Sequence, residues 1–550
     1  MESYQKTEGK RPRKRCESAC DYDNRFHKTR FLCSLGRGRP AIKNKKENKK
    51  DEEVYQANAD LLSLAACGSG ESDTKTTAAA GSGETAAAGT EGSYPTIKVM
   101  MSCLTVPKDV AMVEEAVSAI TREKIGANVE FIMMEYANQT QQLNLLLSAG
   151  DDSIDVFYVK DLATTIANGQ AMDITELIAP YADEINKAVG ENVFECGYLN
   201  GVCYGIPRLL DMASTAMYSM RADIAAEFGY KNGDSITLDE LDELFAKVHE
   251  KYPDTPLIGP NNGTGVFTDT RVDQMGNNPY NLGVLTDYGQ TTTVSNYYES
   301  PEFLEIVKHL ETWNKNGYYM TDMMNVTESQ IDYIPTGRCF GAFSSHFSAE
   351  MNGIWQSDNF GVDMCCMSIF PKAYCKTPTT VFCVNPATKN ADKAVAMMAL
   401  MATDPEIVNL MVNGIEGVHY VVKEDGSATY PEGVDSSNVG WCIGYSWANM
   451  NSTLSIPFNY PSNYFDLMLQ SNKDGLKSNA FGFKLDSTNI ADEIAACTNV
   501  YNQYFKALFS DAVDDYDAMV KTLQDEMKAA GIEKIVAEKQ AQLDAFLAAK

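Results

Sequence analysis

Three short stretches decide the fold: TIKVMMS at residues 96–102, NVEFIMM at 128–134 and IDVFYV at 154–159. Each is a nearly unbroken apolar run of strand length, the pattern of a strand covered on both faces. Two stretches with helical spacing separate them. Residues 109–124 place Val113, Val117 and Ile120 on one face, and residues 139–149 run up to Gly150, a helix stop. Strand–helix–strand–helix–strand predicts the start of a parallel sheet with right-handed crossovers. Ligands of such sheets gather at the carboxyl ends of the strands, so the loops after Met101 and Val159 are the first candidate site.

Downstream, ECGYLNGVCYGIP (195–207) carries Asn200-Gly201 between apolar flanks, a two-residue hairpin signal, and then leads away into a new apolar segment. Thr237 with Glu240 three residues on reads as a capping box opening a helix, and Pro301 opens another that runs through Trp313. Near the end of the chain Met519, Leu523 and Met527 share a helix face, Gly531 breaks the run, and 535–547 resumes it.

Upstream the composition changes. Residues 68–93 are almost all Gly, Ala, Ser, Thr and Glu, which cannot offset the entropy of ordering, so they predict a flexible tether. The tether follows LLSLAAC (61–67), which resembles the lipobox of bacterial lipoproteins, where the cysteine, here Cys67, receives a lipid and becomes the new N-terminus. The stretch before it departs from a secretory signal: KNKKENKKDEEVYQANAD lies where an apolar region of about 7–15 residues is needed. Residues 1–60 hold 16 Lys/Arg against 10 Asp/Glu in a chain whose net charge is −29. The expectation is that residues 1–66 are a leader or non-native region outside the mature protein. A basic cytosolic arm, with RPRKR and GRGRP as a weak nucleic-acid patch, is the alternative.

Strong negative charge on the rest argues against nucleic acid and against adsorption to anionic lipid. Fourteen cysteines show no paired CxxC spacing and there are only five histidines, so a zinc site has little support. Most of these thiols are expected to be buried small hydrophobes, a usage that fits an anaerobe's surface. Glu416 and His419 in GIEGVHY read as part of a structural turn that Gly414 and Gly417 allow, with no catalytic motif beside them.

NGVCYGIP (200–207), MYSMRADIAAEFG (217–229), TLDELDELFAKVHEKYPDTPL (237–257) and ADKAVAMMALMATDPEIVNLMVNGIEGVHYVV (391–422) together resemble the family-1 extracellular solute-binding lipoproteins of ABC importers, carbohydrate type. AFGFKLDSTNIADEIAACTNVYNQY (480–504) resembles the subgroup with an extra C-terminal domain of unassigned function. The resemblance implies an α/β, two-lobed, periplasmic-binding-protein-like fold of type II. Each lobe would be a mostly parallel sheet flanked by helices, with the ligand cleft between them. Lobe 1 is expected at 94–207 plus about 377–430, and lobe 2 at 208–376 plus about 431–550 including the helical C-terminal region. Crossings fall near 206–209 and 380–384, with re-entry into the second lobe after Tyr420.

It further implies a lipid-anchored, monomeric receptor on the extracellular face of a Gram-positive membrane. That receptor would bind an oligosaccharide and hand it to ABC permease subunits, without catalysis, cofactor or metal. A sugar offers hydroxyls and flat ring faces, which call for planar hydrogen-bonding groups and aromatic platforms. Candidates in the first lobe are Tyr158 and Asp161 after the third strand, with Arg208 and Asp211 at the first crossing. Asp161 reads equally as the cap of the helix that follows it. In the second lobe GRCFGAFSSHFSAEM offers Ser345, His346 and Phe347, a polar loop offers Arg271, and GWCIGYSWANMN offers Trp441 and Trp447, with Trp355 the other tryptophan in a plausible position. A surface glycosidase using cleft carboxylates and a peptide or sensor-ligand receptor of the same fold are the rival readings.

Overall fold

β1 (Thr96–Cys103) is buried along nearly its whole length, with Ile97, Val99, Met101 and Cys103 fully enclosed. It pairs in parallel with β2 (Asn128–Glu135), from Thr96 opposite Asn128 to Cys103 opposite Glu135, and on its other side with β3 (Val156–Val159). The crossovers are α1 (Val110–Ile125) and α2 (Gln139–Ala149), the second stopped by Gly150 at φ 67°. Val113 and Val117 of α1 face the sheet as the sequence predicts. The computed structural model describes residues 94–549 other than 137, 261–265, 269, 277–279, 327 and 442–449. The leader, Cys67 and the tether lie outside the described residues, as does Trp447.

After α3 (Leu162–Ala167) and the hairpin closed by Asn200 and Gly201, both at positive φ, β4 (Gly205–Pro207) ends the first pass through this lobe. The chain crosses into β5 (Ala213–Arg221), the centre of a second sheet. There follow α4 (Leu238–Lys251), opened by the Thr237–Glu240 capping box, α5 (Pro301–Lys315), β6 (Gly341–His346), α6 (Ala349–Phe360), β7 (Met364–Ser368) and β8 (Tyr374–Cys375).

β6, β7 and β8 all pair antiparallel with β5. The expectation of a mostly parallel sheet in each lobe is therefore corrected for the second. The strand that enters from the cleft runs against its neighbours.

β9 (Val381–Val384) returns to the first sheet, antiparallel to both β3 and β4, giving the order β2-β1-β3-β9-β4. α7 (Ala391–Thr403) and α8 (Pro405–Asn413) cover it; Ala394, Met398, Met401 and Met411 share one core with Val99, Val117 and Phe157. Among the described residues no single helix is long and apolar enough to cross a membrane. Trp441 and Met450 also belong to this first core, so the lobe boundary expected at about 431 lies beyond 450.

The chain then enters α9 (Tyr464–Asp474) and β10 (Leu476–Lys477), which pairs with β8. The C-terminal region holds α10 (Ala491–Leu508), α11 (Tyr516–Ala529) and α12 (Ile532–Ala549); the last two are the helices read on either side of Gly531, which stands at φ 99°. Phe505, Leu523 and Ile535 share the second lobe's core with Tyr218, Phe245, Trp313 and Phe343. Lys539 of α12 is fully buried, its Nζ donating to the carbonyls of Gln274 (2.8 Å) and Gly283 (2.9 Å). The described cysteines, from Cys103 to Cys497, are all buried, and burial pushes the Cys339, Cys365 and Cys366 thiols up to about 12.

Candidate functional site

The strand directions bring the carboxyl ends of β1, β3 and β4 and the amino end of β9 to one edge of the first sheet. The connections to the second lobe leave from this edge, so the cleft lies where parallel-strand topology places ligands. The crossing segments are laced together. Arg208 N–H donates to Thr380 O (2.9 Å), Leu209 N–H to Met450 O (2.8 Å), and Asn472 Oδ1 accepts from the N–H groups of Met212 (2.8 Å) and Ala213 (3.0 Å).

Beside the end of β1 is a cavity of about 360 Å³ lined by both lobes. Leu104 and Trp441 come from the first lobe, Trp355 of α6 and Tyr464 and Phe465 of α9 from the second, and Tyr430, Phe458 and Tyr460 from the stretch between. None of its described lining residues is charged. The rings brace one another. Tyr460 stacks on Tyr464 at 3.9 Å between centroids, Phe347 meets Tyr464 edge-on at 5.2 Å, and Tyr430 meets Phe458 at 4.7 Å. Leu104 (70 % exposed) and Trp355 (37 % exposed) remain open to solvent on opposite walls. Such a surface offers flat apolar faces to a ring ligand, with Asn359, Asn413 and Asn459 among them as donors and acceptors.

A second cavity, about 230 Å³, opens beside the end of β3. Its polar lining includes Lys160, Asp161, Tyr280, Thr377, Thr379, Lys484 and Ser487, and its apolar lining includes Phe483, Leu485 and Ile494. Lys484 Nζ donates to Tyr198 O (2.8 Å), and burial lowers its pKa. At the crossings, near Arg208, Lys376 and His346, lies Asp211. Burial raises its carboxyl pKa against the opposing fields of His346, Lys376 and Arg208. Burial lowers that of His346, against the field of Asp211, so the imidazole is held toward its neutral form. Its Nε2 lies 3.3 Å from the Tyr464 hydroxyl.

The residues singled out from the sequence divide accordingly. Phe347 and His346 stand in or against the aromatic cluster, Ser345 is exposed on β6 next to them, and Arg208 is enclosed at the crossing beside Asp211. Tyr158 is buried, its hydroxyl shared with Ser102 Oγ (2.6 Å) and Gln139 Oε1 (2.7 Å). Asp161 caps α3, accepting from Thr164 N–H (3.0 Å) and Oγ1 (2.8 Å), and also borders the polar cavity.

Trp441 is 2 % exposed, 5.9 Å from Phe131 of β2, with Nε1 donating to Met411 O (3.3 Å). Its loop-like sequence hid a core residue that shows only an edge to the cavity. Arg271 pairs with Glu305 (2.6 Å) and covers Phe370, and it lines neither cavity. His419 is buried in its turn, Nδ1 accepting from Ile415 N–H (2.9 Å) and Nε2 facing Asp109 (3.2 Å). A Cβ on Gly414 would lie 2.5 Å from that ring, which is why the turn takes glycine there.

Tyr430, Phe458, Tyr460, Tyr464 and Phe465 were missed by the sequence reading. The signal was present: PFNYPSNYF (457–465) interleaves four aromatics with Pro, Asn and Ser, the composition of a proline-broken, ring-bearing loop.

Three comparisons agree with this architecture. Residues 479–548 match the family model described as a domain of unknown function (DUF3502). The chain is 23 % identical over 493 residues, 88 % of its length and 95 % of the relative's, to a Streptococcus pneumoniae protein named carbohydrate ABC transporter substrate-binding protein. Among solved structures it is similar to the N-glycan transport solute binding protein NgtS of Streptococcus pneumoniae (TM-score 0.69, 21 % identity, 82 % of this chain and 99 % of that one). It is also similar to an HMO-binding, ABC-transporter-associated solute binding protein of Bifidobacterium longum infantis (TM-score 0.60, 14 % identity, 83 % and 100 % covered). The fold is that of the two-lobed solute-binding proteins, and the extra C-terminal domain read from the sequence is present.

Proposed function

We propose that this chain is the extracellular substrate-binding component of a carbohydrate ABC importer, capturing an oligosaccharide between its lobes and presenting it to the permease. The observation that carries the reading is the ring-lined cavity shared by both lobes, whose described lining residues carry no charge. A ligand that touches Leu104 on one side and Trp355 on the other makes both sets of contacts only when the lobes approach, and that differential affinity shifts the population toward the closed form. The names of the relatives support it: one is a carbohydrate substrate-binding protein, and the NgtS structures include complexes with Man1GlcNAc and Man5GlcNAc.

The same cavity speaks against the glycosidase reading. Hydrolysis of a glycoside needs two carboxyl groups about 5–10 Å apart across the scissile bond. No described residue lining the aromatic cavity carries one. We further propose that the mature protein is anchored by lipid at Cys67, on the strength of LAAC followed by the tether. Intact-mass measurement of the membrane fraction from a native-like host tests this: a lipidated N-terminal Cys67 is expected, and an unmodified chain still carrying Met1 contradicts it.

The receptor reading is tested by thermal unfolding of the full chain across a panel of neutral oligosaccharides, sialylated glycans and peptides. One saccharide class should stabilise it by about 2.7 kcal/mol at a hundredfold excess over its Kd. Stabilisation by peptides alone moves the assignment to a peptide receptor, and new reducing ends in the saccharide samples move it to a hydrolase.

A further inference from the structure

The C-terminal region belongs to the second lobe by its core yet reaches the first. Its helices complete the packing around Phe505, Leu523 and Ile535, while the segment leading into them crosses the cleft. Gly482 N–H donates to Thr377 Oγ1 (3.1 Å), Lys484 Nζ reaches Tyr198 O (2.8 Å), and Phe481 packs against the first lobe's core. The same segment supplies one wall of the polar cavity through Phe483, Lys484, Leu485 and Ser487, with Ile494 of α10 behind them. The opposite wall is the loop after β3, and β3 is the immediate neighbour of β1, whose end opens the aromatic cavity. The two cavities thus stand side by side along one sheet edge, and the second exists only because the C-terminal domain closes it.

We infer that the polar cavity is a second saccharide subsite, receiving the distal arm of a branched oligosaccharide whose inner residues stack in the aromatic cavity, and that the C-terminal domain makes the receptor selective for larger glycans. Its chemistry suits an arm rich in hydroxyls. Lys484 has three N–H bonds and donates two to carbonyls, one of them, to Gly482 O, long at 3.5 Å. Thr377, Thr379 and Ser487 offer hydroxyls, and Phe483, Leu485 and Ile494 meet the apolar ring faces. This inference rests on the receptor reading and extends it to the domain of unknown function.

The test is calorimetric titration of the full chain with Man1GlcNAc and with Man5GlcNAc. Ser487→Trp fills the cavity from the C-terminal side and Thr379→Trp from the crossing side; unliganded melting curves show which variants fold. The wild-type protein should bind the larger glycan at least tenfold more tightly. Each folded filling variant should lose that advantage while its affinity for the disaccharide stays within about twofold. Lys484→Met, which adds no bulk, should lose part of the same advantage. Equal loss for both glycans, or none for either, overturns the subsite while leaving the receptor reading standing. A wild-type chain that binds neither these glycans nor any other saccharide overturns both.

Discussion

Leu104 follows β1 and Lys160 follows β3, two neighbouring strands of one sheet edge, yet the cavities that open beside them have opposite chemistry. The first gathers seven aromatic side chains and, among described residues, no charge; the second holds two lysines, an aspartate and four hydroxyls. Apolar ring faces contribute affinity in proportion to the area they remove from water, about 25 cal/mol per Å². Charged and hydroxyl groups return much of what they gain to desolvation, so they contribute selectivity more than strength. The aromatic end should therefore set whether a glycan binds at all, and the polar end which glycan binds best. The two also differ in support. Tyr464 is braced by the rings of Phe347, Tyr460 and Phe465, whereas the polar cavity depends on the C-terminal domain staying seated.

Tyr464 offers the hardest blow to that comparison. It is 2 % exposed within the cluster of Phe347 and Tyr460, so Tyr464→Ala should cost about 3 kcal/mol of stability. Denaturant unfolding of the unliganded chain reads this directly, and the folded fraction should bind saccharide weakly as well. A loss below about 1 kcal/mol would show that the rings do not act as one packed unit.

Trp355 separates binding from stability. Because it is already 37 % exposed, Trp355→Ala should leave the melting temperature nearly unchanged while weakening glycan binding about thirtyfold, or roughly 2 kcal/mol. Unchanged affinity in a titration would remove the ring from the site.

At the polar end the seat of the C-terminal domain has its own signature. Burial pulls Lys539 down to about 7 from its ordinary 10.5. Between those values the unfolded chain holds a proton that the folded chain lacks, so this group makes stability rise as pH climbs from 7 toward 10. Comparing Lys539→Met with the wild-type protein by denaturant unfolding should show the wild type gaining on the order of 2 kcal/mol relative to the variant between pH 7 and pH 9. A difference that stays flat with pH would mean Lys539 is not buried against the Gln274 and Gly283 carbonyls.

The smallest effect belongs to Asp161. Asparagine caps a helix about as well as aspartate, so Asp161→Asn should hold the melting temperature, whereas Asp161→Ala should cost about 1 kcal/mol. If the carboxylate also meets ligand, the asparagine variant loses affinity for large glycans alone, by a few fold.

Much of the first lobe was legible because its physics is local. Strands covered on both faces must be apolar throughout, which marks β1 to β3, and Val113 and Val117 recur at the period a sheet-facing helix requires. The Asn200-Gly201 hairpin and the Thr237–Glu240 capping box likewise need only a few neighbouring residues. The second lobe was harder. Whether β5 runs with or against β6, β7 and β8 is fixed by partners far along the chain, and nothing within ASTAMYSMR records it.

Trp441 misled for a related reason. Its neighbours are Gly, Ser and Asn, yet β2 supplies Phe131 to bury it from a distance of about three hundred residues in sequence. The site was half legible. Phe347 lies in the ring cluster and His346 against it, at positions the resemblance points to, whereas Tyr460 and Tyr464 sit in a proline-broken stretch whose packing partners Phe347 and Met351 lie far off in sequence.

Hydrogen exchange of the full chain with and without a saturating branched glycan such as Man5GlcNAc tests the central claim most directly. Capture between the lobes predicts added protection in three separated places at once: the loop after β1 at 104–109, the helix carrying Trp355, and the aromatic stretch at 458–465. Protection confined to one lobe, or a bound glycan that protects none of these segments, would contradict it.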